Sequence, residues 1–240
     1  MEQAKVLGLK VDIIKNEAEL TALIRQYIES GQPHHIVTAN SEMYYRAYRK
    51  DPLLAEIINN SDLAVIDAVG IKLALKLCGR HNLKIYPGVE LAETLLKNGC
   101  RTYILGAKEN VLTKLNYPNI VGRQHGYFKE SQEVEIIADI KKKRPEVLLV
   151  ALGVGRQEKW IAKYKNELKI PLMLGVGGAI DILAGTKKRA PVIFRKLYLE
   201  WFYRLITEPR RAARQVNLCL FLIAVLKNSF KKREDNKCSV

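Results

Sequence analysis

The chain has 240 residues, of which 48% are apolar, and these values exclude a disordered chain and a mini-protein. Forty lysines and arginines outnumber 25 acidic residues, and the formal charge of +15 predicts an anionic partner: nucleic acid, a membrane surface or a phosphorylated substrate. The four cysteines and four histidines show no CxxC and no ligand spacing, so neither a disulfide framework nor a zinc site is indicated. Because the sequence shows no apolar signal segment, we expect a cytoplasmic protein.

The first 190 residues alternate between strand-like and helix-like stretches. Six short apolar stretches are typical of strands: Val6–Val11, His35–Thr38, Leu63–Asp67, Arg101–Leu105, Val147–Leu152 and Pro171–Val176. Several of them are continuously apolar, as expected when both faces of a sheet are covered. This alternation predicts an α/β fold with a Rossmann-like, mainly parallel sheet flanked by helices.

Several helix boundaries can be predicted from capping residues. Asp51, followed by a proline, predicts a helix start, and Gly79 and Gly99 each follow a periodic run and suit a helix end. Ser131 is predicted to cap a helix that stops before Pro145.

The last quarter of the chain differs in composition from the rest. Residues 187–240 contain fourteen Lys/Arg and four Asp/Glu, which is about two thirds of the net charge. The apolar run from Val216 to Leu226 is flanked by basic clusters and is shorter than the roughly 20 residues of a spanning helix. Two interpretations are open: a basic amphipathic helix lying on an anionic bilayer, or a helix packed on the core with a solvated basic tail. We therefore predict a core, residues 1–190, and a basic helical C-terminal membrane appendage, residues 191–240.

Glycine loops follow three of the predicted strands, where ligands bind in open α/β sheets. They begin at Gly106, Gly153 and Gly175, and each leads into a helical pattern. Backbone N–H groups at such positions suit phosphate, although glycine also serves plain tight turns. The dinucleotide-binding fingerprint and the P-loop motif are both absent from the sequence. A nucleotide or a nucleotide-sugar diphosphate would fit these loops.

Asp67 ends an apolar strand and precedes a loop. A carboxylate there could take a proton from an acceptor hydroxyl as a general base, or it could cap the helix entered near Gly70. Asp181 carries the same ambiguity. Tyr127 is equally plausible as a base-stacking aromatic residue and as a core residue.

The chain contains no Asp-x-Asp pair to hold a divalent ion on a donor pyrophosphate, so positive charge must come from side chains. Arginine side chains are suited to this role because guanidinium groups match phosphate geometry, although the arginines of this chain could equally form a solvated or lipid-facing stripe. The obvious suppliers are Arg204, Arg210, Arg211 and Arg214.

Seven sequence blocks together resemble the WecG/TagA/CpsF glycosyltransferases, in order, from about residue 6 to residue 214. The blocks are Val37–Asn40, Asp67–Gly70, His125–Phe128, Leu152–Trp160, Gly175–Asp181, Lys188–Pro191 and Leu199–Leu205. The resemblance implies a bacterial, inverting enzyme that moves an N-acetylmannosamine-type sugar from a UDP donor. The implied acceptor is N-acetylglucosamine linked through diphosphate to an undecaprenyl lipid, in the synthesis of wall teichoic acid or a related surface polysaccharide.

The resemblance also implies roles for individual residues. Asp67 matches the proposed general base, and the predicted substrate-binding residues are Thr38, Asn40, Gly106, Tyr127, Gln157, Asp181, Arg204, Arg211 and Arg214. Thr38 and Gln157 match positions near the sugar, Tyr127 and Asp181 match positions near the uridine, and the arginines match an appendage that closes over the donor phosphates. No metal and no cofactor is implied. We expect a peripheral protein on the cytoplasmic face of the plasma membrane with no nucleic-acid partner, and self-association into a homo-oligomer is left open.

Two residues depart from the family pattern. Ala68 stands where the family usually has glycine and would carry strain if that position needs a positive φ. Gly155 stands where the family often has proline. Donor or acceptor preference could therefore differ. Two alternatives are a membrane-attached scaffold of the same fold that has lost catalysis and a basic nucleic-acid-binding protein.

Overall fold

The computed structural model of the chain describes residues 1–196, 200–207 and 212–237. Its strands are β1 (Glu2–Val6), β2 (Leu9–Ile13), β3 (His34–Ala39), β4 (Leu63–Ile66), β5 (Thr102–Gly106), β6 (Ile120–Gln124), β7 (Val147–Ala151) and β8 (Leu172–Gly175). Its α-helices are α1 (Glu17–Glu29), α2 (Ser41–Lys50), α3 (Pro52–Asn59), α4 (Val69–Leu77), α5 (Gly88–Lys97), α6 (Glu109–Leu112), α7 (Glu133–Lys143), α8 (Arg156–Leu168), α9 (Ala179–Leu183), α10 (Val192–Lys196), α11 (Glu200–Thr207) and α12 (Ala212–Lys237).

Within the described ranges the main sheet has six strands in the order β4-β3-β8-β7-β5-β6, and each neighbouring pair is parallel. The predicted α/β class and parallel sheet are confirmed. Strand β8 lies between β3 and β7, so residues distant in the chain meet at its two edges.

Five strands of the sheet, all except the edge strand β6, are buried on both faces, which explains their largely apolar sequences. In β7, Val147 and Leu149 face a cluster that includes residues of α1, α5, α6 and α9, whereas Leu148 and Val150 face α7 and α8. On the second face, the β3–β4 end of the sheet is covered by α2, α3, α4 and the β1–β2 hairpin.

Capping signals set several helix boundaries as predicted. Asp51 is the N-cap of α3, and its Oδ1 accepts a hydrogen bond from the Leu54 N–H at 3.2 Å. Gly79 and Gly99 adopt φ values of +81° and +79° just beyond α4 and α5, which is the conformation that ends a helix at glycine. The prediction for Ser131 is wrong, because this residue lies inside a short 3-10 turn and α7 begins two residues later.

The predicted strand Val6–Val11 is wrong as a single element. Leu7 and Gly8 have positive φ and form the turn of a hairpin in which β1 and β2 pair antiparallel, apart from the main sheet. Strand β6 was not predicted, since its residues are only partly buried and include a glycine, an arginine and a glutamine. It lies at the edge of the sheet, where a strongly apolar sequence is not required.

Helix α12 packs against the core along one side. Phe221 and Val225, four residues apart, are buried in the same cluster as residues of α2 and α4. On the same helix, Val216, Leu220 and Ile223 are exposed. The interpretation of a C-terminal helix packed on the core is therefore confirmed for this segment, and contact with a bilayer stays a prediction. Among the helices that the structure describes, none is long and apolar enough to cross a membrane.

His35 lies near the amino-terminal edge of the sheet, away from the glycine loops. It is buried, its backbone N–H donates to Asp62 Oδ2 at 2.7 Å, and the Lys165 ammonium pairs with the same carboxylate. Burial, with a smaller contribution from Lys165, lowers the pKa of His35 to about 3, while Asp62 opposes the shift.

This buried imidazole predicts a loss of stability in acid. The pKa of His35 is about 6.5 in the unfolded chain and about 3 in the folded chain. Between these two pH values the unfolded chain binds a proton at His35 that the folded chain does not bind. The free energy of unfolding therefore falls as the pH drops through this window. We expect urea unfolding at pH 7.5 and 5.5 to show a smaller pH dependence in His35→Leu than in the wild type. The exposed residue His81 gives the control variant His81→Leu. Equal pH dependence in all three proteins would contradict the assignment.

Candidate functional site

The carboxyl ends of all six parallel strands, from β4 to β6, lie at one edge of the main sheet. The chain continues from β3 and β7 into helices on one face, α2 and α8, and from β8 into α9 on the other face. A change of face between neighbouring strands opens a crevice, and ligands bind in such crevices in open α/β sheets. This edge is the candidate active site.

Asp67 follows β4 at one end of this crevice. Its Oδ1 accepts a hydrogen bond of 2.6 Å from the Gly88 N–H, the first residue of α5. The Asp67 N–H donates to the Ala39 carbonyl at 3.0 Å, so the residue is held from both its backbone and its side chain. The alternative cap of the helix near Gly70 is wrong, because α4 has Ala68 at its N-cap position and no side-chain cap. The carboxylate instead meets the N-terminus of α5, where negative charge is favoured.

Thr38 and Asn40 lie at the end of β3, next to Asp67. The Thr38 hydroxyl donates to the Gly175 carbonyl at 3.0 Å, which ties β3 to the end of β8. Asn40 caps α2, since its Oδ1 accepts from the Met43 N–H at 3.0 Å. These side chains shape the crevice.

Gln157 bridges two of the glycine loops. Its side chain is buried, its Oε1 accepts from the Gly177 N–H at 3.1 Å, and its Nε2 donates to Glu158 Oε1 at 2.8 Å. Glu158 is also buried, and its Oε2 accepts from the Gly155 N–H at 2.6 Å. Burial raises the pKa of the Glu158 carboxyl, against the opposing effect of these hydrogen bonds.

The two departures from the family pattern have local explanations. Ala68 has a φ of −134°, an ordinary extended conformation, so the expected strain is absent at this position. Gly155 has a φ of +84°, which glycine adopts freely and proline cannot. A Cβ there would lie 2.8 Å from the Arg46 Cζ, so the guanidinium occupies the space beside the glycine.

Gly106 and Tyr127 lie at the other end of the crevice. The loop after β6 packs on the loop after β5, where the Gly126 N–H donates to the Ala107 carbonyl at 2.9 Å. Tyr127 is 72% exposed, so the alternative that it is a core residue is wrong. Six strands spaced about 4.8 Å apart place Asp67 and Tyr127 roughly 24 Å from each other along the sheet edge. A ligand that reached both would be extended.

Asp181 lies in the third position of α9 and does not cap that helix, because Gly178 holds the N-cap position. Its carbonyl accepts hydrogen bonds from Thr186 and Lys187 as the chain turns back. The cap interpretation of Asp181 is therefore wrong.

The predicted phosphate-binding arginines lie largely outside the described residues. Arg210 and Arg211 fall in the undescribed segment 208–211, and the side chains of Arg204 on α11 and Arg214 on α12 are likewise not described. Across the ranges that the structure does describe, no group of three or more His, Cys, Asp or Glu could hold a metal ion.

Helix α12 reaches the edge of the crevice. A Cβ added at Gly70, three residues after Asp67, would lie 2.8 Å from Leu218 Cδ1 and 2.9 Å from Ser41 Cβ. The absence of a side chain at Gly70 lets α12 pack closely over the starts of α2 and α4.

A model of the glycosyl transferase WecG/TagA/CpsF family matches residues 4–235. The chain belongs to this family. The match covers nearly all of the sequence, so the crevice described above is the candidate active site of a glycosyltransferase.

The curated relatives agree with the family match. An enzyme of Staphylococcus aureus strain NCTC 8325, named N-acetylglucosaminyldiphosphoundecaprenol N-acetyl-beta-D-mannosaminyltransferase, is 34% identical over 93% of this chain and 95% of its own length. The same values hold for the enzyme of strain COL, and the enzyme of strain MRSA252, with the same name, is 33% identical over the same shares.

Three residues of this site were not predicted from the sequence. Gly88 holds Asp67, Arg46 lies over Gly155, and Glu158 binds Gln157. Glu158 belongs to one of the blocks that carry the family resemblance, which could have drawn attention to it. Gly88 lies 21 positions from Asp67, and Arg46 lies 108 positions from Val154, to whose carbonyl it also donates, so no local pattern signals these contacts.

Substitution of Gly106 tests how closely the end of β5 packs against β7 beside the crevice. Its φ is +126°, and a Cβ there would overlap with the backbone of Ala151 on β7. We expect Gly106→Ala to lower the free energy of unfolding in urea by at least about 2–3 kcal/mol, from steric overlap and backbone strain. At the matched control, Gly153, φ is also positive at +89° but nothing lies within 4 Å, so Gly153→Ala should cost only about 1–2 kcal/mol. A larger cost for the control would refute this account.

Phe221 tests the docking of α12. We expect Phe221→Ala to release the helix, because removing a buried aromatic ring costs about 3–5 kcal/mol, and proteolytic cleavage within residues 212–237 should accelerate. Ile223 is 48% exposed on the same helix, so Ile223→Ala should leave cleavage unchanged. If both variants are cleaved at the wild-type rate, Phe221 does not hold the helix.

Proposed function

We propose that the protein is an inverting, metal-independent glycosyltransferase that moves an N-acetylhexosamine, of the N-acetylmannosamine type, from a UDP donor to N-acetylglucosamine linked to undecaprenyl diphosphate. Family membership and the names of the staphylococcal relatives support the sugar and the acceptor. The observation that carries the mechanism is the position of Asp67, which the Gly88 N–H and the Ala39 carbonyl hold at the crevice edge.

Asp67 would act as the general base. In a single displacement, the acceptor hydroxyl oxygen attacks the anomeric carbon of the donor sugar, its proton passes to the Asp67 carboxylate, and the bond to the UDP oxygen breaks. A carboxylate held by a backbone N–H is already oriented before substrate binds, which favours proton transfer. UDP leaves with the bonding electrons, and the configuration at the anomeric carbon inverts.

The glycine loops after β7 and β8 would hold the donor diphosphate. The loop that starts at Gly153 leads into α8, and a Cβ at Gly153 would meet nothing within 4 Å, so a diphosphate can approach the backbone of this loop closely. The exposed Tyr127 would stack on the uracil at the far end of the crevice. Arg204, Arg211 and Arg214 would stabilise the departing UDP.

The appendage would bring the site to the cytoplasmic face of the plasma membrane. Residues 187–240, which include the appendage and the three basic residues just before it, carry a net charge of +10, which favours an anionic bilayer. Helix α12 also exposes apolar side chains beside its packed face. An acceptor with an undecaprenyl chain would be embedded in that bilayer.

The two alternative functions predict different behaviour. A scaffold without catalysis would bind vesicles without turnover, and a nucleic-acid-binding protein would bind DNA or RNA with a steep salt dependence.

Replacing Asp67 tests the base. Asparagine can still accept the Gly88 N–H but cannot take a proton, so Asp67→Asn should bind UDP normally and lower kcat by about 10²–10⁴-fold. Asp139 on α7 provides the control, because Asp139→Asn can also keep its hydrogen bond from the Tyr103 hydroxyl and lies outside the crevice. Near-normal turnover of Asp67→Asn would remove Asp67 from this role.

A donor panel tests the reaction. UDP release is measured from several UDP-N-acetylhexosamines, UDP-N-acetylmannosamine included, with a short-chain lipid-diphosphate-N-acetylglucosamine acceptor and EDTA. We expect acceptor-dependent release with one donor. Release that requires added metal would contradict metal independence, and vesicle binding without release from any donor would favour the scaffold.

A further inference from the structure

Glu158 is a buried carboxylate beside the crevice for which the proposed mechanism has no role. Both of its oxygens accept from N–H donors, Oε2 from Gly155 at 2.6 Å and Oε1 from the Gln157 amide at 2.8 Å. An ionised carboxylate can accept at both oxygens, whereas a neutral amide can accept at only one. Both oxygens therefore face donors, a pattern that an ionised carboxylate satisfies and a side-chain amide does not, even though burial raises the pKa of this carboxyl.

The Gln157 amide connects Glu158 to the loop after β8. Its Oε1 accepts from the Gly177 N–H at 3.1 Å, so its Nε2 must face an acceptor, and Glu158 supplies it. The orientation of the amide is fixed from both ends. A Cβ at Gly175 would lie 2.6 Å from the Gln157 Nε2 and 3.0 Å from Glu158 Oε1, so the bridge fills the space beside β8.

Arg46 lies near the Glu158 carboxylate and offsets a small part of the cost of burying it. Its guanidinium lies over Gly155, its Nη1 donates to the Val154 carbonyl at 3.0 Å, and its positive charge favours the ionised form of Glu158. Asp51 holds Arg46 through a 3.1 Å hydrogen bond from Nε. A buried anion without such partners would be strongly destabilising.

We propose that Glu158 is a positioning residue that, through Gln157 and with Arg46, locks the loop after β7 to the loop after β8 and so preforms the crevice between them. This inference rests on the proposed function only in naming the UDP donor as the molecule that these loops bind.

Hydrogen exchange of the substrate-free protein tests the lock without relying on activity. In Glu158→Gln, the new amide group has only one oxygen, so its N–H groups must point at the N–H of either Gly155 or the Gln157 side chain. If the Gln157 amide rotates by 180° to accept from the new side chain, its own N–H groups then point at the Gly177 N–H. A donor therefore faces a donor in every arrangement. We expect backbone exchange to accelerate about tenfold or more in both segments 153–158 and 175–181. The control is Glu167→Gln, the same change at an exposed position of α8, which should leave both segments unchanged.

A double variant that exchanges the two side chains provides the rescue. In Gln157→Glu/Glu158→Gln, the introduced amide can accept from the Gly155 N–H and donate to the introduced carboxylate, which can also accept from the Gly177 N–H. Every donor again faces an acceptor, so exchange should return toward the wild-type rate in both segments. Arg46→Gln, at a half-buried position, is a milder variant that should accelerate both segments even if Glu158→Gln does not fold.

Kinetics with the UDP donor then separate positioning from chemistry. We expect Glu158→Gln to raise the donor KM by about tenfold with a smaller effect on kcat. Faster exchange in segment 153–158 alone, or exchange identical to that of Glu167→Gln, would overturn the lock. If the wild type releases no UDP from any donor, the proposed function fails, whereas the exchange result still decides the role of Glu158.

Discussion

The pairing of β8 with β3 and β7 is the interaction on which the site depends. Thr38 and Gly175 are 137 residues apart in the chain, and this pairing brings the Thr38 hydroxyl to the Gly175 carbonyl. On its other edge β8 pairs with β7, which places the two glycine loops side by side. Because the strands are parallel, all of their carboxyl ends lie at the same edge, and the helices that follow leave on opposite faces.

Most of the polar side chains described at the site form hydrogen bonds to main-chain groups that surround it. Thr38, Asn40 and Gln157 each hydrogen-bond to main-chain groups of a neighbouring strand, helix or loop, and Asp67 accepts from the start of α5. Loops rich in glycine would otherwise be mobile, since glycine has the greatest conformational freedom to lose. Fixed donors and acceptors lower the reorganisation needed when charge develops during the reaction.

Helix α12 connects the basic end of the chain to this site. Its buried side packs through Phe221 and Val225 onto the same cluster as α2 and α4, and Leu218 lies over Gly70, close to Asp67 in sequence. Its other side exposes apolar residues in the most basic part of the chain. The proposed membrane contact would therefore use the side of α12 that does not pack on the core, and it would bring a lipid-linked acceptor toward Asp67.

Local patterns in the sequence determined the α/β class, the principal strands, the cap at Asp51 and the position of Asp67 at a strand end, because these depend on residues only a few positions apart. The motif blocks determined the family. Tertiary structure alone decided that Asp67 binds the N-terminus of α5, that Gln157 is buried between two loops, and that residues 2–13 fold as a separate hairpin. Each of these outcomes depends on how surfaces distant in the chain pack together, and neither the periodicity nor the spacing of residues along the sequence records that packing.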